Sequence, residues 1–129
     1  MNTEKHYTLD QVKMNNTHIA VVKSDVVQLS SVQTALDFMM TIYYDTGHRA
    51  LIINKEAIIE DFFDLSSRIA GDILQKFVNY QFKLAIVGDF SMYSSPALKD
   101  FIYECNRGRE ICFVNSLDEA YNKMSKMIL

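Results

Sequence analysis

Five carboxylates fall where an α/β chain places its chemistry: Glu56, Glu60, Asp61 and Asp64 after one apolar run, and Asp89 after another. Neighbouring carboxylates can share general acid and base work. Gathered with waters, they are also the ligand type that magnesium prefers. Asn54, Lys55 and Ser91 stand beside them, and Phe62-Phe63 interrupts the acids. The candidate ligand- or partner-binding set is therefore Asn54, Lys55, Glu56, Asp61, Phe62, Phe63, Asp64, Asp89 and Ser91. Polar residues of these types also cap helices and satisfy turns, and acids near a helix start complement its dipole. No spacing here matches a known metal loop, so no metal ligand, cofactor or catalytic residue is assigned.

Other signals are thinner. Gly88-Asp89-Phe90 follows an apolar run, but one glycine cannot build the phosphate cradle of Gly-x-Gly-x-x-Gly or Gly-x-x-x-x-Gly-Lys. There is no Gly-x-Ser-x-Gly elbow. His6, His18 and His48 are scattered, and no Cys/His spacing suits zinc. Cys105 and Cys112 read as small core residues. Arg107-Gly108-Arg109, with Lys99, is the only basic knot. It suits a carboxylate or phosphate, or equally a solvated helix end.

Composition narrows the classes. The chain has 129 residues, 49% hydrophobic and 22% charged, enough for one domain with a real core. A net charge of −3 argues against a nucleic-acid surface. There is no run of 18 apolar residues to span a membrane. The start, MNTEKHYTLDQVKM, has no apolar signal core. A cytoplasmic protein with reduced cysteines is expected.

The elements that must position the candidates can be read in order. Residues 6–14 alternate as a strand, Asn15-Asn16 suits a tight hairpin, and Ile19-Ala20-Val21-Val22 returns. Ser30 or Ser31 caps a helix with Val32, Leu36, Met39, Met40 and Tyr43 buried and Gly47 at its end. Phe38 and Ile42 fall off that stripe on a second apolar strip, which reads first as a generous core helix and second as an exposed partner surface. Ala50-Leu51-Ile52-Ile53 reads as a strand buried on both faces. From Asp64 a helix buries Leu65, Ile69, Ile73, Phe77 and Tyr80. Leu84-Ala85-Ile86-Val87 is the next strand. Ser94 or Ser95 with Pro96 starts a helix burying Leu98, Phe101, Ile102 and Cys105. Ile111-Cys112-Phe113-Val114 is the last strand. Ser116-Leu117-Asp118-Glu119 is a capping box opening a helix with Ala120, Met124 and Met127 inward. The order ββαβαβαβα implies a single α/β domain, an open mixed sheet whose later strands are parallel. In such a sheet ligands collect at the strands' carboxyl edge, which gathers Asn54, Lys55, Glu56, Gly88, Asp89, Phe90, Ser91, Asn115 and Ser116.

This order resembles the STAS domain, the fold of bacterial anti-anti-sigma factors, over nearly the whole chain. At the residue level the chain also resembles a bacterial family, domain of unknown function 4180. That match is carried by Ile53-Asn54-Lys55-Glu56-Ala57, Glu60-Asp61-Phe62-Phe63-Asp64-Leu65, Ala70-Gly71-Asp72-Ile73-Leu74-Gln75-Lys76-Phe77, Leu84-Ala85-Ile86-Val87-Gly88-Asp89-Phe90 and Phe101-Ile102-Tyr103-Glu104-Cys105-Asn106-Arg107-Gly108. STAS switches carry an Asp-Ser-Ser-Gly-like turn with a phosphorylatable serine before the second helix. Counted from Leu51, Asp61 takes the aspartate's place and Phe62-Phe63 the serines'. A slide of three residues aligns Asp64-Leu65-Ser66-Ser67, without the glycine, making Ser66 and Ser67 the candidate phosphosites. The family resemblance implies a compact bacterial domain and brings no established activity with it. The fold order and the lack of a catalytic constellation make a non-enzymatic STAS-like regulatory module, monomer or homodimer, binding a protein partner or a small anionic ligand, the expected function. Charge and hydropathy argue against nucleic acid and membrane. The rival reading is a small enzyme or cofactor- or metal-binding protein using the carboxylates of the strand edge.

Overall fold

The run Ala50–Asn54 is apolar because both of its faces are covered. Leu51 and Ile53 turn to one layer and Ala50 and Ile52 to the other, all at 1% exposure or less. This strand, β3, lies in the middle of a five-stranded sheet with β1 (Tyr7–Met14), β2 (Thr17–Ser24), β4 (Lys83–Val87) and β5 (Ile111–Val114), in the spatial order β1-β2-β3-β4-β5. The computed structural model describes residues 6–128. β1 and β2 pair antiparallel across Asn15-Asn16, both at positive φ (48° and 64°), the conformation of a two-residue hairpin turn. The remaining pairs are parallel. The expected α/β architecture, with a hairpin opening a parallel sheet, is the one observed.

Each strand lies beside its predecessor in space, so successive right-handed crossovers stack their helices on one face. That face holds α1 (Val32–Thr46), α2 (Ile69–Asn79) and α3 (Pro96–Arg107), packed on Ala20, Val22, Leu84, Ile86 and Phe113. Only α4 (Leu117–Met127) lies on the other face, where Ala120, Met124 and Met127 cover Ile52, Ala85 and Cys112. Ser31, Ser95 and Ser116 cap α1, α3 and α4. Glu119 accepts from the Asn115 amide at 3.0 Å, one residue before the cap. Among the described residues no helix is long and apolar enough to cross a membrane.

Two expectations fail. In α1 the buried stripe is Ala35, Phe38, Met39 and Ile42, while Met40 and Tyr43 are exposed. Both strips have helical period, and the deciding contact comes from outside the helix: Phe38 meets Tyr7 of β1 edge-on at 5.3 Å. In the second helix, Asp64 and Leu65 precede the start. Residues 55–67 form three 3-10 turns, Lys55–Ala57, Glu60–Phe63 and Leu65–Ser67. Arg68 then takes a left-handed φ of 68°, which breaks any continuous helix through it. Leu65 is consequently only half-buried, and Tyr80, just beyond the helix end, is 46% exposed.

The two phenylalanines explain the 3-10 path. Phe62 is 1% and Phe63 3% exposed, their rings edge-on at 5.0 Å. Consecutive residues cannot both point inward from a regular strand; a tight turn lets both do so. The crossing is also tied to residues 28–29, by Gln28 and Leu29 amides donating to the Ala57 carbonyl and the Ile59 amide donating to that of Leu29. Replacing Phe62 with alanine is predicted to cost about 3–5 kcal/mol, the range for deleting a buried aromatic ring. A urea titration checks this, and a loss below about 1 kcal/mol would mean that the ring is not packed as described.

Candidate functional site

The carboxyl edge of the sheet is built from β3, β4 and the segment that leaves each strand. Asn54 ends β3 and replaces backbone pairing with its own amide: Oδ1 accepts from the Ser24 amide at 2.8 Å and Nδ2 donates to the Ser24 carbonyl at 2.7 Å. Nδ2 also donates to Glu56 Oε1 at 3.1 Å. Asn54 is thus the clasp that continues β2–β3 pairing beyond Val22 and Ile53.

Lys55, the next residue, turns across the edge toward β4. Its side chain is only 13% exposed, with Nζ 3.7 Å from Glu60 Oε1. The ammonium lies 5.4 Å from the Phe63 ring centre and 5.2 Å from that of Tyr93, within cation–π range. Phe63 and Tyr93 stack at 5.3 Å, and Phe63 meets Phe90 at 5.9 Å. The Tyr93 hydroxyl donates to Glu60 Oε2 at 2.7 Å, beside the Lys55 ammonium. This close packing explains Gly88: a Cβ there would stand 2.6 Å from Lys55 Cβ.

The electrostatics fix protonation states. Burial works against the Lys55 charge, yet the Tyr93 hydrogen bond and the charges of Glu60 and Glu56 outweigh it and raise the ammonium's pKa. Burial, aided by Glu60 and opposed by Lys55, raises that of Tyr93. At neutral pH the pair is an ammonium and a neutral phenol, so neither a free-amine nucleophile nor a phenolate base is supplied.

The other candidates are spread along the same edge. Asp64 Oδ1 accepts from the Ser66 amide and hydroxyl at 3.1 and 2.6 Å. Asp89 Oδ1 does the same for Ser91 at 3.0 and 2.6 Å, and these bonds lower its pKa. Glu56 is held low by its own backbone amide and by Asn54. Asp61 is exposed. The Ser67 hydroxyl donates to the Asp61 and Asp64 carbonyls, both at 2.7 Å, and accepts from the Ile69 amide at 3.2 Å. Phosphate on Ser67 would remove these bonds, and on Ser66 would set its charge against Asp64.

Lys55, Phe63 and Glu60 therefore come together, with Phe62 beneath and Asp89 near enough for Lys55 to act on its charge. Asp61 and Asp64 do not join them. Among the described residues no three of His, Cys, Asp and Glu are grouped to hold a metal ion. A groove of about 230 Å³ on the opposite sheet face, lined by Val21, Ile52, Val87 and Leu117 with Lys23 and Asn54 at its rim, contains none of the candidate carboxylates. The sequence reading missed Tyr93 as a partner of Lys55 and Phe90 as a partner of Phe63. Their only trace was Gly88-Asp89-Phe90, whose glycine marks the close approach. It also treated the histidines as scattered, whereas His18 and His48 stack at 5.1 Å.

The family model described as Domain of unknown function (DUF4180) matches residues 14–124. No curated protein and no solved structure matches the chain.

This geometry yields two expected outcomes. Gly88→Ala sets a Cβ against that of Lys55 and is predicted to cost about 1–3 kcal/mol, as overpacking does; relief by an added Lys55→Gly, which removes the opposing Cβ, measured as a double-mutant cycle, would locate the clash. Glu56 has a lowered folded pKa, so its contribution is present above its ordinary value of 4.5 and is lost as pH falls through the folded value. Glu56→Gln should therefore flatten the acid limb of the stability–pH curve below that point, and an unchanged limb would contradict the assignment.

Proposed function

The chain belongs to the DUF4180 family, and we propose that it is a non-enzymatic, STAS-like regulatory module of the bacterial cytoplasm that docks a protein partner on the crossing at residues 54–68. The observation that carries the reading is a preformed acidic surface. Phe62 and Phe63 anchor the crossing from beneath, while Glu56, Asp61 and Asp64 remain exposed above. A surface whose shape is already set loses little conformational entropy on binding, and its charge steers a basic partner toward it.

The same residues weigh against the enzyme reading. Asp64 and Asp89 shape their own turns, Asn54 clasps two strands, and Lys55 is held charged among rings and Glu60. Support for the STAS-like assignment comes from the element order and the mixed sheet.

The test compares wild-type protein with the Asp61→Arg, Asp64→Arg double variant as bait in bacterial lysate. The variant loses the Asp64 cap of the Leu65–Ser67 turn, so it is expected to fold with a modestly lowered Tm, and to lose a partner that the wild type retains, with retention falling as salt rises. If it keeps every partner, this surface is not the interface. In a thermal-shift screen with magnesium, manganese, nucleotides and flavins, a rise of several degrees abolished by Asp89→Ala would favour the carboxylate-edge enzyme instead.

A further inference from the structure

At the opposite edge of the sheet, Arg109, Lys123 and Lys126 surround an open concavity of about 300 Å³ that Gly108 and Met127 also line. Helices α3 and α4 both end here, with Arg107 and Lys126 in their last turns. Two of the cations are positioned by backbone. Arg109 Nη2 donates to the Lys126 carbonyl at 2.9 Å, and Lys123 Nζ to the Asn106 carbonyl at 3.3 Å.

A cation beside a helix end is ordinary compensation of the dipole, so the magnitudes matter. Two helix C-termini present about −0.5 charge each, against three full positive charges. The acids of this edge are engaged elsewhere: Glu110 pairs with Lys83 at 3.8 Å and Glu104 with Arg107 at 3.6 Å. Among the described residues no carboxylate forms an ion pair with Arg109, Lys123 or Lys126. A guanidinium has five N–H donors and an ammonium three, so one carbonyl bond each leaves most of these donors for something else. The corner carries an excess of positive charge, partly immobilised, around a hollow.

We infer that this corner binds a small, multiply charged phosphate anion. The guanidinium fork matches phosphate oxygens two at a time, and the ammonium groups supply point charges from the other sides. The hollow is at the small end of ligand sites, suited to one or two phosphoryl groups. This site is separate from the acidic crossing, and it stands or falls independently of the docking surface proposed there.

The test is a titration of the full chain with inorganic pyrophosphate at constant ionic strength, followed by amide chemical shifts. The result expected is saturable shifts centred on Gly108, Arg109, Lys123, Lys126 and Met127, with Kd in the millimolar range or below. Lys126 is exposed, so Lys126→Glu should fold and bind at least about 10-fold more weakly, a change of roughly 1.4 kcal/mol. Lys126→Arg should retain binding. A parallel titration with ADP separates a phosphate ester from free oligophosphate: equal affinity places recognition on the phosphates alone, and tighter binding extends it to the attached group. Shifts that do not saturate, that lie elsewhere, or that survive Lys126→Glu would overturn the site. Concentration-dependent self-association abolished by Lys126→Glu, without pyrophosphate binding, would assign the corner to the acidic crossing of a second copy and would equally overturn it.

Discussion

Burying two adjacent phenylalanines is the constraint on which this edge of the molecule depends. Each ring removes a large apolar area from water, and the pair contributes several kcal/mol to the fold. Because Phe62 and Phe63 are consecutive, a regular strand cannot aim both inward, and the backbone between β3 and α2 winds through 3-10 turns that bury both rings. That path positions the polar residues around it. Glu60 comes within reach of Lys55 and Tyr93, Asp64 is set to hold Ser66, and Ser67 is set to receive the first turn of α2.

Lys55 joins this crossing to the neighbouring strand. Its stem passes over Gly88, where no side chain intervenes, and its ammonium is enclosed by two rings and one carboxylate. A partly buried charge of this kind is retained only when paired and hydrogen-bonded, and the raised pKa shows that pairing outweighs desolvation. The cluster locks β3 to the loop after β4 through Phe63, Phe90 and Tyr93. Lys55 is held as an ammonium and Tyr93 as a neutral phenol at neutral pH. Charge is also distributed by edge. In α2 and α4 acids stand in the first turn and a lysine in the last, and the cations of the α3–α4 corner exceed what the two helix dipoles there compensate.

The fold was legible in the sequence wherever one local pattern had one solution. Asn15-Asn16 requires positive φ that asparagine tolerates, serines precede helical runs, and unbroken apolar tetrapeptides mark strands covered on both faces. Helix α1 was read partly on the wrong side: Met39 is buried and Leu36 packs on the core as expected, but Met40 and Tyr43 are exposed while Ala35, Phe38 and Ile42 turn inward, a strip that repeats equally well. Packing against elements distant in sequence, Tyr7 of β1 on Phe38 among them, selects between the two strips. The start of α2 was misplaced for a related reason: apolar spacing runs through Leu65, while the left-handed Arg68 has no signature in residue type. At the carboxyl edge, neighbours along one segment were legible, but contacts across the fold were not. Tyr93 reaches Glu60 across 33 positions, a relation that spacing along one segment cannot express.

Partner docking at this edge requires the crossing to be a rigid, preformed surface rather than a loose loop. Native-state amide hydrogen exchange tests this directly, because the amides of Ile58, Ile59, Phe62, Asp64, Ser67 and Arg68 all donate to backbone carbonyls. A preformed crossing predicts that they exchange slowly, within about 10-fold of the amides in the middle of α2, as members of one cooperative unit. Fast exchange across these residues while α2 stays protected would contradict it, and with it the claim that this edge is built to present its acids.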